Sequence, residues 1–478
     1  MPNIKSPNIL LITDDQHRWD YLGCYGANFV DTPNIDRLAQ RGIRFTNTFT
    51  NVPVCAPARI GLASGMHPAR LGPFDNQTYL PSDWPTYYQR LRDNGYRVGC
   101  VGKLDLAKPD HYNGRYGDRP MAYRWGFTHP EECEGKMHAA LGYPRAPLRG
   151  PYTYYLEGQG QLEAFCEDYQ ARAKNGYILG ASHDSVLATE HFEDTYIGRR
   201  SAEFIENVPD DFPWHLFVSF VGPHDPYDPP TEYADMYRDA PMPDGIPAHA
   251  DQKPGWIHKM QKQFDGEQLA RIRRQYCALI KLIDDQIGMI LDALEKRGML
   301  DNTYIIFASD HGEMMGDHHL FTKRVGYEPS IHVPLICAGP GIAESQVSDT
   351  FVELIDINPT ICELAGISPA PNLDARSFAP VLLGEQTSHR NEAITAMPNW
   401  RGVRNERYMF IENHNDIYEL YDILADPDET TNVADQHPDV IKDMRKRFRD
   451  YFLSGHDIAT QRYSERKIDI TNMKDLLG

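Results

Sequence analysis

The sequence predicts an α/β protein: a large mixed, mostly parallel sheet sandwiched by helices, with a smaller C-terminal α+β subdomain. Two observations carry the first part. Short apolar runs alternate with amphipathic stretches through the first two thirds of the 478 residues, the pattern of strands buried on both faces beneath covering helices. The connecting stretches also carry a helical period: Leu269, Ile272, Tyr276, Leu279, Ile283, Ile287, Ile290 and Leu294 recur every three or four residues, which predicts a helix over 267–297. A third observation supplies the subdomain. Beyond about residue 385 the apolar segments become short and antiparallel-looking, so the division expected is 1–384 for the main domain and 385–478 for the subdomain.

In chain order, strands are predicted at 8–13, 97–101, 215–221, 303–309 and 333–338. Residues 110–185 are rich in Tyr, Gly and Pro, and 222–265 contain eight prolines; neither segment is expected to form a long helix or a central strand. Such excursions usually cover a site or a partner surface. The C-terminal part reads as strands at 391–397, 407–412 and 417–421, followed by a helix over 438–452.

Composition limits the partners. With 48 Lys and Arg against 68 Asp and Glu, the net charge of −20 repels polyphosphate backbones, so no nucleic acid partner is expected. An anionic substrate then needs a local cationic pocket. The first apolar run, Ile9 to Ile12, is too short for a signal peptide and reads as a buried strand. No stretch approaches 18 apolar residues, so no membrane span is predicted and the expected localisation is cytoplasmic. The eight cysteines are scattered, without a paired C-x-x-C, which argues against a disulfide framework. The arm 455–478, poor in large apolar residues, is a candidate for packing on a second copy, which would make a homo-oligomer.

Three groups of residues carry chemical potential. Asp14-Asp15 follows the first strand at its carboxyl end, where open α/β sheets place ligands, and adjacent carboxylates repel unless a cation neutralises them. Asp310-His311 follows the fourth predicted strand. Together the two pairs offer hard oxygens and an imidazole, suited to Ca²⁺, Mg²⁺ or Mn²⁺; taken singly, each pair equally suits a cap or a turn. The third group is Cys55-Ala56-Pro57-Ala58-Arg59 followed by Ser64-Gly65. Arg59, one turn after Cys55, would supply the positive charge a reactive cysteine wants, and Pro57 suits a first helical turn.

This combination resembles the sulfatase family of the alkaline phosphatase superfamily, whose signature is C-x-P-x-R followed by Ser or Thr and Gly. Cys55, Pro57, Arg59, Ser64 and Gly65 match it position by position. The likeness extends over nearly the whole chain, through Asp14-Asp15, Leu22 to Gly26, Thr32 to Asp36, Gly102-Lys103, Pro223-His224, Asp310-His311-Gly312 and Lys323, to Glu419 to Asp422 with Asp426-Pro427 and Asn432. The resemblance implies an alkaline phosphatase-like fold and a sulfuric ester hydrolase acting on a sulfated sugar or an aryl or alkyl sulfate. It further implies that a maturation enzyme oxidises Cys55 to formylglycine. On that implication the hydrated aldehyde attacks sulfur as the ester's alcohol departs, giving a sulfated enzyme, and the remaining hydroxyl expels sulfate by collapse to the aldehyde.

By the same resemblance Asp14, Asp15, Asp310, His311 and residue 55 would hold one divalent cation, Ca²⁺ by preference, with Mg²⁺ or Mn²⁺ as alternatives. Arg59 would orient the diol; Lys103, His224 and Lys323 would bind sulfate oxygens; His224 would face the leaving oxygen as an acid; and Asp310 would double as base. One departure stands out. The family commonly has Lys-x-His where this chain has Lys103-Leu104-Asp105, so either Asp105 is a base itself or it is structural, with a histidine such as His111 moving in. Position 311 also carries His where many relatives have Asn. Two other functions remain open from the residues: a formylglycine-dependent phosphonate monoester or phosphodiester hydrolase, which Asp14-Asp15 disfavours because such relatives tend to carry Asp-Gln there, and a non-catalytic anion-binding protein. Tyr112, Tyr116, Tyr123, Trp125, Tyr143, Tyr152, Tyr154 and Tyr155, with His129, His138 and His183, are candidates to contact the organic part of the substrate or to pack the 110–185 segment onto the sheet.

Overall fold

Along a strand, successive side chains point to opposite faces, and β1 (Asn8–Asp15) divides its apolar residues accordingly: Ile9 and Leu11 enter one core, Leu10 and Ile12 the other. The same partition holds for β6 (Thr303–Ser309), where Ile306 and Ala308 oppose Ile305 and Phe307. These strands are buried on both faces, which is why they read as continuous apolar runs. The computed structural model describes residues 6–454 apart from 73, 82, 111, 141–143, 145–147, 176–181 and 249–251.

The main sheet has eight strands. Besides β1 and β6 they are β2 (Gly42–Phe49), β3 (Arg97–Gly102), β4 (His129–Glu132), β5 (Trp214–Pro223), β7 (Leu335–Ala338) and β8 (Gln346–Glu353), in the order β4-β3-β5-β1-β6-β7-β2-β8. All neighbours run parallel except β7, which is antiparallel to β6 and β2. The expected strands coincide with β1, β3, β5, β6 and β7. Of the other three, β2, β4 and β8, the last two gave weak signals for physical reasons: both are edge strands, β4 carries a proline and two glutamates, and β8 is largely exposed over its first half.

The predicted long helix spans Gly266–Lys296, opened by a capping box between Asp265 and Gln268. Its stripe serves two cores: Ile283, Ile287, Ile290 and Leu294 lie against the sheet, while Ile272, Tyr276 and Leu279 join a separate aromatic cluster. One expectation fails. The segment 110–185 contains a 14-residue helix, Leu162–Asn175; its prolines end at Pro151, so nothing in the later part opposes a helix.

Four antiparallel strands, β9 (Glu392–Met397), β10 (Trp400–Asn405), β11 (Tyr408–Asn413) and β12 (Tyr418–Asp422), form a second sheet in the order β12-β11-β10-β9. β10 lacked a clear sequence signal because Arg401, Gly402 and Arg404 interrupt it. One face receives the helix Pro438–Ser454 through Met444 and Phe448. The other, with Ala393, Met397, Trp400 and Met409, packs on Phe49, Val52 and Val54, the residues leading to Cys55. The arm 455–478 lies outside the described residues. Among the described residues no helix is long and apolar enough to cross a membrane.

Arg390, just before β9, ties the second sheet to the first. Its Nε and Nη2 each donate to Asp356 at 2.7 Å, with all partners buried. Burial would raise the Asp356 carboxyl, and Arg390 outweighs it and holds the group below its ordinary range. Removing the guanidinium strands a buried charge, so Arg390→Ala is expected to lose about 3–5 kcal/mol of stability, read as a lowered urea midpoint.

Candidate active site

Strand order assembles the site. β3, β5, β1 and β6 are parallel neighbours, so Lys103 after β3, His224 after β5, Asp14-Asp15 at the end of β1 and Asp310-His311 after β6 all emerge on one edge of the sheet. Gln16 completes the turn after β1 with φ of 72°, an uncommon left-handed conformation for a side chain of this kind. It directs the Gln16 N–H to Asp310 Oδ1 at 3.1 Å, and Tyr276 of the long helix secures the turn by donating to the Gln16 carbonyl at 2.6 Å.

Cys55 is the first residue of the helix Cys55–Ser64, with Val54 as its cap. Pro57 falls in the first turn, where a missing N–H costs nothing. Asn76 Oδ1 accepts from the Ala56 N–H at 3.1 Å and satisfies one of the free donors there. The helix ends at Gly65, φ 69°, whose Cβ would meet Leu373 at 3.0 Å and Asn358 at 3.1 Å; the Ser-Gly of the signature is therefore a helix terminus that only glycine fits well. Arg59, one turn below Cys55, reaches across the strand ends. Its Nε donates to Asp310 Oδ2 at 2.8 Å, Nη2 to Asp15 Oδ2 at 3.2 Å, and Nη1 to the Lys103 carbonyl and Ser219 Oγ at 2.5 Å each.

One donor atom each from Asp15, Cys55, Asp310 and His311 lie within 4.8 Å of one another, all buried. His311 Nε2 is 3.2 Å from Cys55 Sγ, while Nδ1 faces the Gly312 carbonyl at 3.0 Å; a proton on Nδ1 leaves the Nε2 lone pair for the cluster. Asp14 stands beside this group. Its Oδ2 is 2.5 Å from His17 Nδ1, and its Oδ1 is buried without a hydrogen-bond partner. Two carboxylates, a thiol and an imidazole, next to an orphaned carboxylate oxygen, are a donor set that fits a divalent cation. Burial would raise the Asp15 carboxyl, as would Cys55 beside it, yet Lys103, His224 and Arg59 prevail and hold it well below its ordinary range. Cys55 is likewise lowered well below a normal thiol: burial opposes, but Lys103, Lys108, Lys323 and His311 favour the anion.

A cationic rim faces this cluster. Lys103 Nζ bonds Asp15; Lys323 Nζ bonds Gln16 Oε1 and lies 2.7 Å from His224 Nε2. His224 Nδ1 contacts the Asp225 carbonyl at 2.6 Å and Asp225 Oδ1 at 3.3 Å. Lys103 and Lys323 are buried although lysines seldom are.

A sequence-family model for sulfatases matches residues 7–367. The chain belongs to the sulfatase family. A second model, for the C-terminal part of N-sulphoglucosamine sulphohydrolase, matches residues 316–452 of this sulfatase. It is 31% identical over 457 residues to the choline-sulfatase of Rhizobium meliloti, covering 90% of this chain and 82% of that protein. It is 30% identical over 483 residues to an arylsulfatase of Clostridium perfringens, covering 92% and 93%. In structure it resembles the phosphonate monoester hydrolase of Agrobacterium radiobacter, with a TM-score of 0.79, 25% identity and coverage of 94% and 96%. The protein is an enzyme that hydrolyses sulfate esters.

Other residues named from the sequence fall differently. Asp105 is near the rim, paired with Lys108 and Lys103, while His111 and Tyr143 lie outside the described residues. Trp125 and Tyr152 are fully buried in the cores and Tyr154 and Tyr155 half-buried, whereas Tyr112, Tyr116, Tyr123, His129 and His183 are exposed and His138 intermediate. Sequence reasoning missed Gln16, His17, Lys108, Ser219, Asp225 and Glu313. Gln16 and Asp225 directly follow residues that were chosen; Ser219 lies mid-strand and has no local signal. Gln16 also makes Asp15-Gln16 an Asp-Gln pair, so that dipeptide does not separate sulfatases from the phosphonate-cleaving relatives.

Truncating Lys323 or His224 to Ala is expected to lower kcat/KM on an aryl sulfate by roughly 100- to 1,000-fold. Thermal unfolding should change little for His224→Ala, whereas Lys323→Ala, which removes a buried cation from beside buried acids, is also expected to lower the melting temperature.

Proposed function

We propose that the enzyme releases inorganic sulfate from a small-molecule or oligosaccharide sulfate monoester, with Cys55 in its formylglycine form as nucleophile and a divalent cation, Ca²⁺ by preference, among Asp14, Asp15, Asp310, His311 and residue 55. What carries this reading is the buried Asp15-Cys55-Asp310-His311 group set against the cations of Arg59, Lys103 and Lys323. The names of the relatives, a choline-sulfatase and an arylsulfatase, support a compact sulfate ester as one substrate class. Oxygen donors in the majority support Ca²⁺, and the imidazole leaves room for Mn²⁺ or Mg²⁺. When bound, such a cation supplies positive charge against the anionic centre and lowers the pKa of the attacking hydroxyl.

The chain's own residues then divide the work. Arg59, fixed by four hydrogen bonds, holds Asp15 and Asp310 in place and faces its charge toward position 55. Asp310, beside His311, would take the proton of the attacking hydroxyl. Lys103 and Lys323 would bind the non-bridging sulfate oxygens, whose negative charge grows toward the transition state. His224, held at Nδ1 by Asp225 and at Nε2 by Lys323, would face the leaving alcohol oxygen as the acid. Cys55 is 0% exposed in the folded chain, so a maturation enzyme, as partner, would have to reach it before the strand ends close.

Mass spectrometry of the tryptic peptide containing Cys55, from protein made in a maturation-competent host, is expected to show the aldehyde in place of the thiol. A uniform free thiol with undiminished sulfatase turnover would overturn the nucleophile assignment. On purified enzyme, an aryl sulfate is expected to be hydrolysed faster than a phosphonate monoester or a phosphodiester; a preference for phosphorus by orders of magnitude would reverse the reading. Exhaustive chelation is expected to lower turnover at least about tenfold, with recovery on adding Ca²⁺ read in the same assay.

A further inference from the structure

The departure at Lys103-Leu104-Asp105 leaves a charge problem. Lys103 Nζ stands between Asp15 Oδ2 and Asp105 Oδ2, the latter at 3.3 Å, so two carboxylates compete for one ammonium. All three groups are buried, where unbalanced charge is costly. Lys108 resolves it. Its Nζ donates to the same Asp105 Oδ2 at 2.5 Å, and its side chain is only 11% exposed. The backbone holds this arrangement: Asp105 has φ of 56°, a conformation Asp tolerates, and Ala107, next to Lys108, bridges Tyr79 while the Leu80 N–H bonds the Leu106 carbonyl at 2.8 Å. The segment 76–80 that pins this loop also caps the Cys55 helix through Asn76. Lys108 therefore belongs to the floor of the site.

We propose that Lys108 is a positioning residue of the anion pocket: it neutralises Asp105, so that Lys103 keeps its charge for the sulfuryl group and the Asp105-Lys108 pair takes the place of the histidine common at position 105 in the family. The inference rests on the anion-pocket role given to Lys103 above. In it Asp105 is a counter-ion shared by two lysines, not the base, since a carboxylate held between two ammonium groups is a weak proton acceptor.

The pair makes a double-mutant cycle whose pattern differs from that of a structural contact. Wild type, Lys108→Met, Lys108→Arg, Asp105→Asn and the double variant Asp105→Asn/Lys108→Met are compared as metal-loaded enzyme, with affinity for inorganic sulfate measured by calorimetry and KM and kcat on an aryl sulfate measured separately. Lys108→Met is expected to weaken sulfate binding at least tenfold and to raise KM more than it lowers kcat. Lys108→Arg should stay within threefold of wild type, and Asp105→Asn should bind sulfate as tightly or tighter. Removing both charges should restore sulfate affinity to within threefold of wild type. Sulfate binding unchanged by Lys108→Met, or a double variant as weak as Lys108→Met alone, overturns the proposal; a Lys108→Met variant that fails to fold is replaced by Lys108→Gln, judged by the same cycle. If the wild-type enzyme turned over no sulfate ester, the reading of the preceding subsection would fall, while the sulfate affinities would still decide the role of Lys108.

Discussion

Buried like charge is the constraint on which the catalytic edge depends. Asp14, Asp15, Asp225, Asp310 and Glu313 are all at most 7% exposed and converge on the ends of three neighbouring strands. Such a group of acids persists only if cations enter with it. Arg59 spans Asp15 and Asp310, Lys103 meets Asp15, and Lys323 approaches Asp225 through His224 and Gln16. On the proposed reading, the cations needed to bury the carboxylates are also the ones that would face a negatively charged ester.

The fold delivers these groups without long loops. Parallel neighbours end on one side of the sheet, so one residue after each of β3, β5 and β6 suffices to converge on the end of β1. Cys55 arrives by another route, on a helix that follows β2, and needs bracing. That bracing comes from the second sheet: the Ala396 N–H donates to the Asn51 carbonyl at 2.9 Å, Asn51 Nδ2 donates to the Ile394 carbonyl at 3.1 Å, and Val52 and Val54 pack under Trp400 and Met397. The C-terminal sheet thus braces the position of Cys55.

Much of this was legible in the sequence because the central strands are buried on both faces and must be apolar throughout, and because the signature residues each answer a local need: Pro57 a first turn, Gly65 a left-handed helix end, Arg59 a charge one turn from Cys55. What was not legible depends on tertiary neighbours. β2 alternates polar and apolar residues beside an antiparallel strand, and β4 and β8 are edges where charge and proline are tolerated. Gln16 enters the site only because its backbone adopts a positive φ, which a glutamine does not signal. Lys108 looks like any surface lysine until the turn at Asp105 folds it back onto the same carboxylate that Lys103 meets.

Net charge does not decide which ester such a pocket prefers. A sulfate monoester, a phosphonate monoester and a phosphodiester each present one negative charge at neutral pH, so Arg59, Lys103 and Lys323 would attract all three alike. The difference lies in the substituents. Sulfur in a sulfate ester carries three unesterified oxygens, whereas phosphorus in the other two carries two, plus a carbon or a second ester oxygen that must be accommodated. A pocket whose third oxygen position meets a buried cation favours sulfate, because an alkyl or aryl group placed there would leave that cation unpaired in a dry site. Lys323, buried and linked to Gln16 and His224, and Lys103, buried between Asp15 and Asp105, are cations of that kind. On the proposed reading, specificity for sulfur over phosphorus would rest on keeping both of them charged and uncovered.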